Sequence, residues 1–133
     1  MTTQAALGIL GRSKYISLTT FRKNGTPVAT PVWVVRDGDS LRVITGAESG
    51  KAKRVRNNPA VTVAPCDMRG KAKGAAVAGT AVLLDPSGTA VTLELVRHKY
   101  GLMGRLLGWS NERRARKSGV GTDQIGVTIT LGP

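Results

Sequence analysis

The sequence has few of the residues that form disulfides and metal sites. Cys66 is its one cysteine and His98 its one histidine. A single cysteine cannot form a disulfide within the chain, which is typical of proteins from a reducing compartment. A structural zinc ion takes about four nitrogen or sulfur ligands, so the sequence excludes such a site, and we predict no metal ligands.

Long apolar runs are also missing. No run reaches the roughly 18 residues that a membrane-spanning helix needs. Residues 1–11 lack the basic start and long apolar stretch of a secretory signal. We therefore expect a cytoplasmic protein without a membrane span.

Aromatic and acidic residues are scarce, which restricts both the core and the possible partners. Two Trp, two Tyr and one Phe leave the core to aliphatic side chains. Twenty Lys and Arg oppose eight Asp and Glu, for a formal net charge of +12. Such a chain attracts nucleic acid, anionic lipid or phosphorylated small molecules. The positive residues form three clusters: Lys51, Lys53, Arg54 and Arg56; Arg69, Lys71 and Lys73; and Arg113, Arg114, Arg116 and Lys117.

Short β-strand patterns separated by turn signals run along the whole chain. Asn24-Gly25 is a strong signal for a tight hairpin. Pro31 interrupts the second strand, because proline cannot donate a hydrogen bond to a neighbouring strand. Short strands linked by hairpins predict a mainly β protein whose antiparallel sheet closes into a small barrel, one domain over residues 1–133. The six predicted strands are residues 15–21, 28–35, 40–45, 60–66, 75–84 and 124–131.

Helical patterns lie between these strands. We predict helices over residues 3–12, 51–56 and 89–107, with residues 85–88 as the turn that caps the third. Glycines near its end favour a break near Tyr100-Gly101. Residues 109–121 are compatible with one more short helix.

Side chains that could carry chemistry by themselves are few. His98 lies beside Arg97 and Lys99 with no nucleophile signature near it, and the carboxylates are scattered. Two interpretations of Cys66 are open: a small buried apolar residue, or a nucleophile. We therefore predict no catalytic side chain. If the protein is an enzyme, a bound cofactor supplies the reactive centre.

Residues 45–54 have the pattern of an anion site. A strand ends, a loop of small residues follows, and a helix begins with Lys51 in its first turn. Backbone N–H groups and the positive end of the helix dipole favour a bound anion there. Cations at this end oppose the dipole, and a negative ligand would offset that cost. The alternative interpretation is that this segment is a basic surface helix that binds no ligand.

Three motifs, in this order, resemble one known family. They are Asn24-Gly25-Thr26-Pro27, then Pro31-Val32-Trp33-Val34, then residues 49–54 ahead of Asn58-Pro59. The sequence around them is similar to the split β-barrel proteins related to pyridoxamine-phosphate oxidase. More narrowly, it resembles the actinobacterial flavin/deazaflavin oxidoreductases that use coenzyme F420. The similarity covers residues 5–85 well and the C-terminal third more loosely.

This resemblance implies a six-stranded split β-barrel that forms a homodimer, with two cofactor sites at the interface between the subunits. It places the cofactor phosphate on the basic loop and helix, and the ring system along the second strand. It also implies that the end of the third strand and the start of the fifth border the pocket. The implied cofactor-binding residues are Pro31, Val32, Trp33, Thr45, Gly46, Ser49, Gly50, Lys51, Lys53, Arg54, Ala76 and Val77.

The cofactor that the resemblance implies is coenzyme F420, with FMN as the alternative. The deazaflavin carries an anionic polyglutamate tail, for which the two further basic clusters would provide partners. The implied reaction passes a hydride from the reduced deazaflavin to a small organic acceptor. Trp33 and Trp109 are candidate walls of the pocket, and Tyr100 could either donate a proton or pack. The competing interpretations are a haem- or FMN-binding protein, a cofactor carrier without reductase activity, and a barrel that binds nucleic acid.

Overall fold

The computed structural model describes residues 2–101 and 124–132 of the chain. Trp109, the third basic cluster and the helix predicted over residues 109–121 lie outside these ranges. The described residues form one antiparallel sheet flanked by helices. Its strands are β1 (Tyr15–Phe21), β2 (Pro27–Trp33), β3 (Val35–Asp37), β4 (Ser40–Gly46), β5 (Ala60–Cys66), β6 (Val77–Leu83) and β7 (Gln124–Leu131).

The order of the strands makes the sheet curl into a barrel. Across the sheet the strands follow the order β2-β1-β5-β6-β7-β4-β3, and every pair is antiparallel. The two edge strands, β2 and β3, follow each other in the chain with only Val34 between them. The sheet must therefore curl until its edges approach each other. This confirms the predicted antiparallel split barrel. The predicted strand 28–35 is divided at Val34, which gives seven strands where the sequence predicts six.

The interior follows from the alternation of side chains along the strands. In β1 the inward residues Ile16, Leu18 and Thr20 are buried and their neighbours are partly exposed. Aliphatic residues from the other strands and from the first helix complete this core. The largest side chains in it with almost no exposure are Leu7, Leu10, Ile16, Leu18, Leu41 and Ile129.

Each helix begins at a polar capping residue. Helix α1 (Thr3–Arg12) and helix α2 (Gly50–Asn57) are capped by Thr2 and Ser49. Residues 86–101 are helical and are called α3. Asp85 caps α3, since its Oδ1 accepts a hydrogen bond of 2.7 Å from the Gly88 N–H. The helix begins three residues earlier than predicted because proline suits a first turn. Tyr100 and Gly101 are still helical, and the predicted end at residue 107 lies outside the described residues.

Candidate functional site

A cleft of about 430 Å³ lies between β2, the end of β4 and helix α3. Its walls are mostly apolar, and one cation, Lys51, stands in its lining. Residues from four elements far apart in the sequence meet here. The lining residues are Pro31, Val32, Trp33, Ile44, Thr45, Gly46, Lys51, Leu93, Val96 and Gln124.

Strand β2 forms the first wall of the cleft. It is an edge strand, and its Pro31 pairs with Ser17 of β1. Because no further strand lies on the outer side of β2, the missing N–H of Pro31 deprives no outer neighbour of a hydrogen bond. The loop after β5 comes close to this wall: a Cβ added to Gly70, whose φ is +89°, would lie 3.7 Å from Pro31 Cδ. Gly70 lies between Arg69 and Lys71. The backbone of the second basic cluster therefore runs beside the cleft.

Trp33 continues this wall and stacks on Tyr100 of α3. The two ring centroids lie 4.3 Å apart with an interplanar angle of 9°. The Tyr100 hydroxyl accepts a hydrogen bond of 2.9 Å from the Val34 N–H and lies 2.8 Å from the Lys14 carbonyl oxygen, to which it can donate. Burial raises the pKa of Tyr100 to about 12. Tyr100 is buried and does not line the cleft, so it packs and binds backbone groups instead of presenting a proton there.

The start of α2 forms the second wall. Ser49 Oγ accepts a hydrogen bond of 3.2 Å from the Ala52 N–H and lies 3.0 Å from Thr45 Oγ1. This pair of hydroxyl groups joins the end of β4 to the start of the helix. The positive end of the helix dipole is therefore held beside Gly46 and Lys51 at the cleft.

The cations of α2 have no carboxylate partners in the described part of the chain. The two ion pairs found there, Arg42–Asp37 and Arg97–Glu94, lie elsewhere. Arg54 instead donates a hydrogen bond of 2.6 Å to Thr20 Oγ1. Lys51 is half-buried, and this burial, together with the charge of Arg54, lowers the pKa of its ammonium group. A bound anion would offset both effects, because it attracts the charged ammonium group.

The predicted residues are distributed as follows. Pro31, Val32, Trp33, Thr45, Gly46 and Lys51 line the cleft. Ser49 and Gly50 begin α2, and Lys53 and Arg54 lie further along it. Ala76 and Val77 do not line the cleft; Val77 pairs with Val63 and lines a separate cavity of about 140 Å³.

Sequence reasoning missed Ile44, Leu93, Val96 and Gln124. Leu93 and Val96 are three residues apart and share one face of α3, so their spacing was a usable signal. Val91, another apolar residue of this helix, is half-exposed. Gln124 pairs with Gly46 only through the sheet, and no local pattern indicates that pairing.

The other candidate side chains lie apart from the cleft. Cys66 is buried, and burial raises the pKa of its thiol, which disfavours the reactive thiolate. His98 is exposed on α3. Among residues 2–101 and 124–132 no group of three or more His, Cys, Asp or Glu is placed to hold a metal ion. None of the helices described has the length and apolar character of a membrane span.

Solved structures share this fold at low sequence identity. A conserved hypothetical protein from Mycobacterium tuberculosis is 20% identical, with a TM-score of 0.71 over 100% of this chain and 82% of that one. A protein titled an F420 reductase is 18% identical, with a TM-score of 0.62 over 95% and 92%. An FAD-binding protein from Mesorhizobium loti is 15% identical, with a TM-score of 0.63 over 100% and 90%. No curated protein matches the sequence.

The family model of pyridoxamine 5'-phosphate oxidase matches residues 2–118, most of the chain. This match agrees with the curled antiparallel sheet and with the fold shared by the solved structures. The chain belongs to the pyridoxamine 5'-phosphate oxidase family.

Proposed function

We propose that this protein is an oxidoreductase that binds coenzyme F420 and reduces a small organic acceptor. The observation that carries the proposal is the cleft between β2 and α2. It joins an apolar wall to a helix N-terminus whose cations have no carboxylate partner in the described residues. A planar ring system with an attached phosphate matches both halves of that surface.

The residues present fit such a cofactor. A volume of about 430 Å³ is within the ordinary range for small-molecule sites. Pro31, Val32 and Trp33 would lie along the ring. The phosphate would lie at the start of α2, held by Ser49, Gly50, Lys51, Lys53 and Arg54, with Thr45 and Gly46 at its border. Ala76 and Val77 do not line this cleft, and we propose that they reach the cofactor from the second subunit of a dimer.

When bound, the reduced deazaflavin supplies the hydride. No carboxylate or imidazole lines the cleft among the described residues, and Lys51 is the one ionisable side chain there. The chain's own contribution is therefore to orient the ring, to exclude water with Trp33, Leu93 and Val96, and to neutralise the phosphate.

The choice of the deazaflavin over FMN rests on charge. FMN carries one phosphate, which the start of α2 is sufficient to hold. The deazaflavin adds an anionic tail, and the loop with Arg69 and Lys71 runs beside the Pro31 wall of the same cleft. Exposed ion pairs contribute only about 0.2–1 kcal/mol each, so several are needed for a measurable preference.

The test is a fluorescence titration of the purified protein with oxidised coenzyme F420, with FMN and with haem. The double variant Lys51→Met, Lys53→Met should bind coenzyme F420 about tenfold or more weakly, because it removes charge-assisted contacts to the phosphate. The matched control Lys14→Met, Arg97→Met removes the same charge outside the cleft and should bind like the wild type.

Each arm separates the proposal from its alternatives. Affinity for coenzyme F420 should fall steeply as salt is raised, and the reduced coenzyme should transfer hydride to a quinone or another reducible acceptor. If FMN or haem binds more tightly than coenzyme F420, that ligand, and not coenzyme F420, is the cofactor. Tight binding of coenzyme F420 with no turnover across an acceptor screen would identify a carrier. Unchanged affinity in the double variant would refute the phosphate site.

A further inference from the structure

Val34 is the one residue at which the chain passes from one edge of the sheet to the other. It is fully buried between β2 and β3. Neither β-ladder that pairs these strands includes it, so its backbone N–H and C=O need other partners. Two consecutive residues of α3 supply them.

Lys99 and Tyr100 bind both polar groups of Val34. The Val34 N–H donates to the Tyr100 hydroxyl at 2.9 Å, and Lys99 Nζ donates to the Val34 carbonyl oxygen at 2.6 Å. Lys99 Nζ also donates to the carbonyl oxygens of Gly11 at 3.0 Å and Ser13 at 2.7 Å, at the end of α1. An ammonium group has three protons, and each has a carbonyl acceptor here.

The same two residues are coupled to the walls of the cleft. Trp33 directly precedes Val34, stacks on the Tyr100 ring at 4.3 Å, and lines the cleft. Leu93 and Val96, one to two turns earlier on α3, line it as well. A helix held at Lys99 and Tyr100 therefore places the Leu93 and Val96 side chains relative to Trp33 on β2.

We propose that Lys99 and Tyr100 are positioning residues for the cleft: by binding the Val34 backbone they hold the Trp33 ring and the α3 face where a flat ligand is received. They touch no ligand themselves. Only the identity of that ligand rests on the proposed function; the effect on Trp33 does not.

The test compares Tyr100→Phe and Lys99→Met in a Trp109→Phe background, where Trp33 is the sole tryptophan. Tyr100→Phe keeps the stacked ring and removes the hydroxyl, and Lys99→Met keeps the chain length and removes the ammonium group. Arg97→Met is the matched control, because among the described residues Arg97 pairs with Glu94 alone, on the exposed side of the same helix. Two quantities are measured: acrylamide quenching of Trp33 without ligand in this background, and the dissociation constant for oxidised coenzyme F420 in chains that keep Trp109, a candidate wall of the pocket.

We expect each variant to raise the quenching constant of Trp33 severalfold and the dissociation constant about tenfold, since small misplacements of a binding surface are costly. The control should change neither. Where the wild type binds the coenzyme, a change in quenching without a change in affinity shows a purely structural role and overturns the proposal. A change in affinity without a change in quenching, or no change in either quantity, overturns it as well. If Lys99→Met does not fold, Tyr100→Phe decides alone. If the wild type does not bind the coenzyme, the proposed function fails, and the quenching of Trp33 still decides whether these residues position the wall.

Discussion

At the scale of single residues, the most informative side chain is Tyr100. The sequence leaves two roles open for it, packing and proton donation. Its hydroxyl binds the backbone of Val34 and Lys14, and its ring is covered by Trp33. Both observations assign it to packing.

The pKa of about 12 makes this assignment testable by pH. Burial disfavours the tyrosinate, so the folded protein retains a proton that the unfolded chain loses near its ordinary pKa of 10.0. This contribution to stability is fully present below pH 10.0 and is lost as the pH rises through about 12. In a Tyr15→Phe variant, tyrosinate absorbance should appear near pH 12 in the folded protein and near 10 in urea. A folded protein that titrates near 10 would contradict the burial of the hydroxyl.

At the scale of secondary structure, helix α2 illustrates how a weak element is held in place. It has eight residues, no acidic side chain in its first turn, and two arginines in its last turn. A helix this short is marginal alone. The buried Ala52 and Val55 fix it on the barrel, and the Ser49 cap joins it to β4. The local pattern predicts the helix well because the cap and the following Asn57-Asn58-Pro59 limit it on both sides.

Strands β6 and β7 are packed so closely that they exclude a side chain at Gly79. A Cβ there would lie 2.9 Å from the Thr130 carbonyl oxygen and 3.2 Å from Ile129 Cγ2. Gly79→Ala should lower the free energy of unfolding by about 1–3 kcal/mol, because the backbone of β7 must move. Chemical denaturation measures this change.

The matched control is Gly101→Ala, where no atom of the described residues lies within 4 Å of the added carbon. Alanine favours a helix over glycine by up to about 1 kcal/mol, so this variant should be neutral or stabilised. Equal destabilisation of both variants would show that contact with β7 is not the cause.

At the scale of the whole molecule, the net charge and the exposed apolar side chains have opposite effects on association. Ile9, Met68, Val82 and Val91 are each more than 40% exposed, and burying such apolar side chains between subunits would favour association. A net charge of +12 on each chain opposes self-association. We propose a homodimer with shared cofactor sites. Sedimentation equilibrium at micromolar concentration should give a dimer whose fraction rises with salt, because salt screens the repulsion. A monomer at every salt concentration would refute the dimer.

Most of the fold could be predicted from the sequence because its signals are local. Alternation along β1 and β7, the Asn24-Gly25 turn and the helix caps depend on near neighbours in the chain. Part of the candidate site could be predicted for the same reason. Its residues from Pro31 to Trp33 and from Thr45 to Lys51 belong to two continuous segments, each with a recognisable local pattern. The division at Val34 was missed because a buried valine continues the strand pattern.

The sequence by itself determined the class of fold and the basic start of α2, since each depends on residue type and near spacing. Only the tertiary structure decided that Leu93, Val96 and Gln124 line the same cleft as Trp33, and that Lys99 and Tyr100 bind the backbone of Val34. The hydrogen bonds to Val34 join residues 65 and 66 positions apart, which no local pattern encodes. They exist because the barrel curls until its two edges meet, and helix α3 packs where they do.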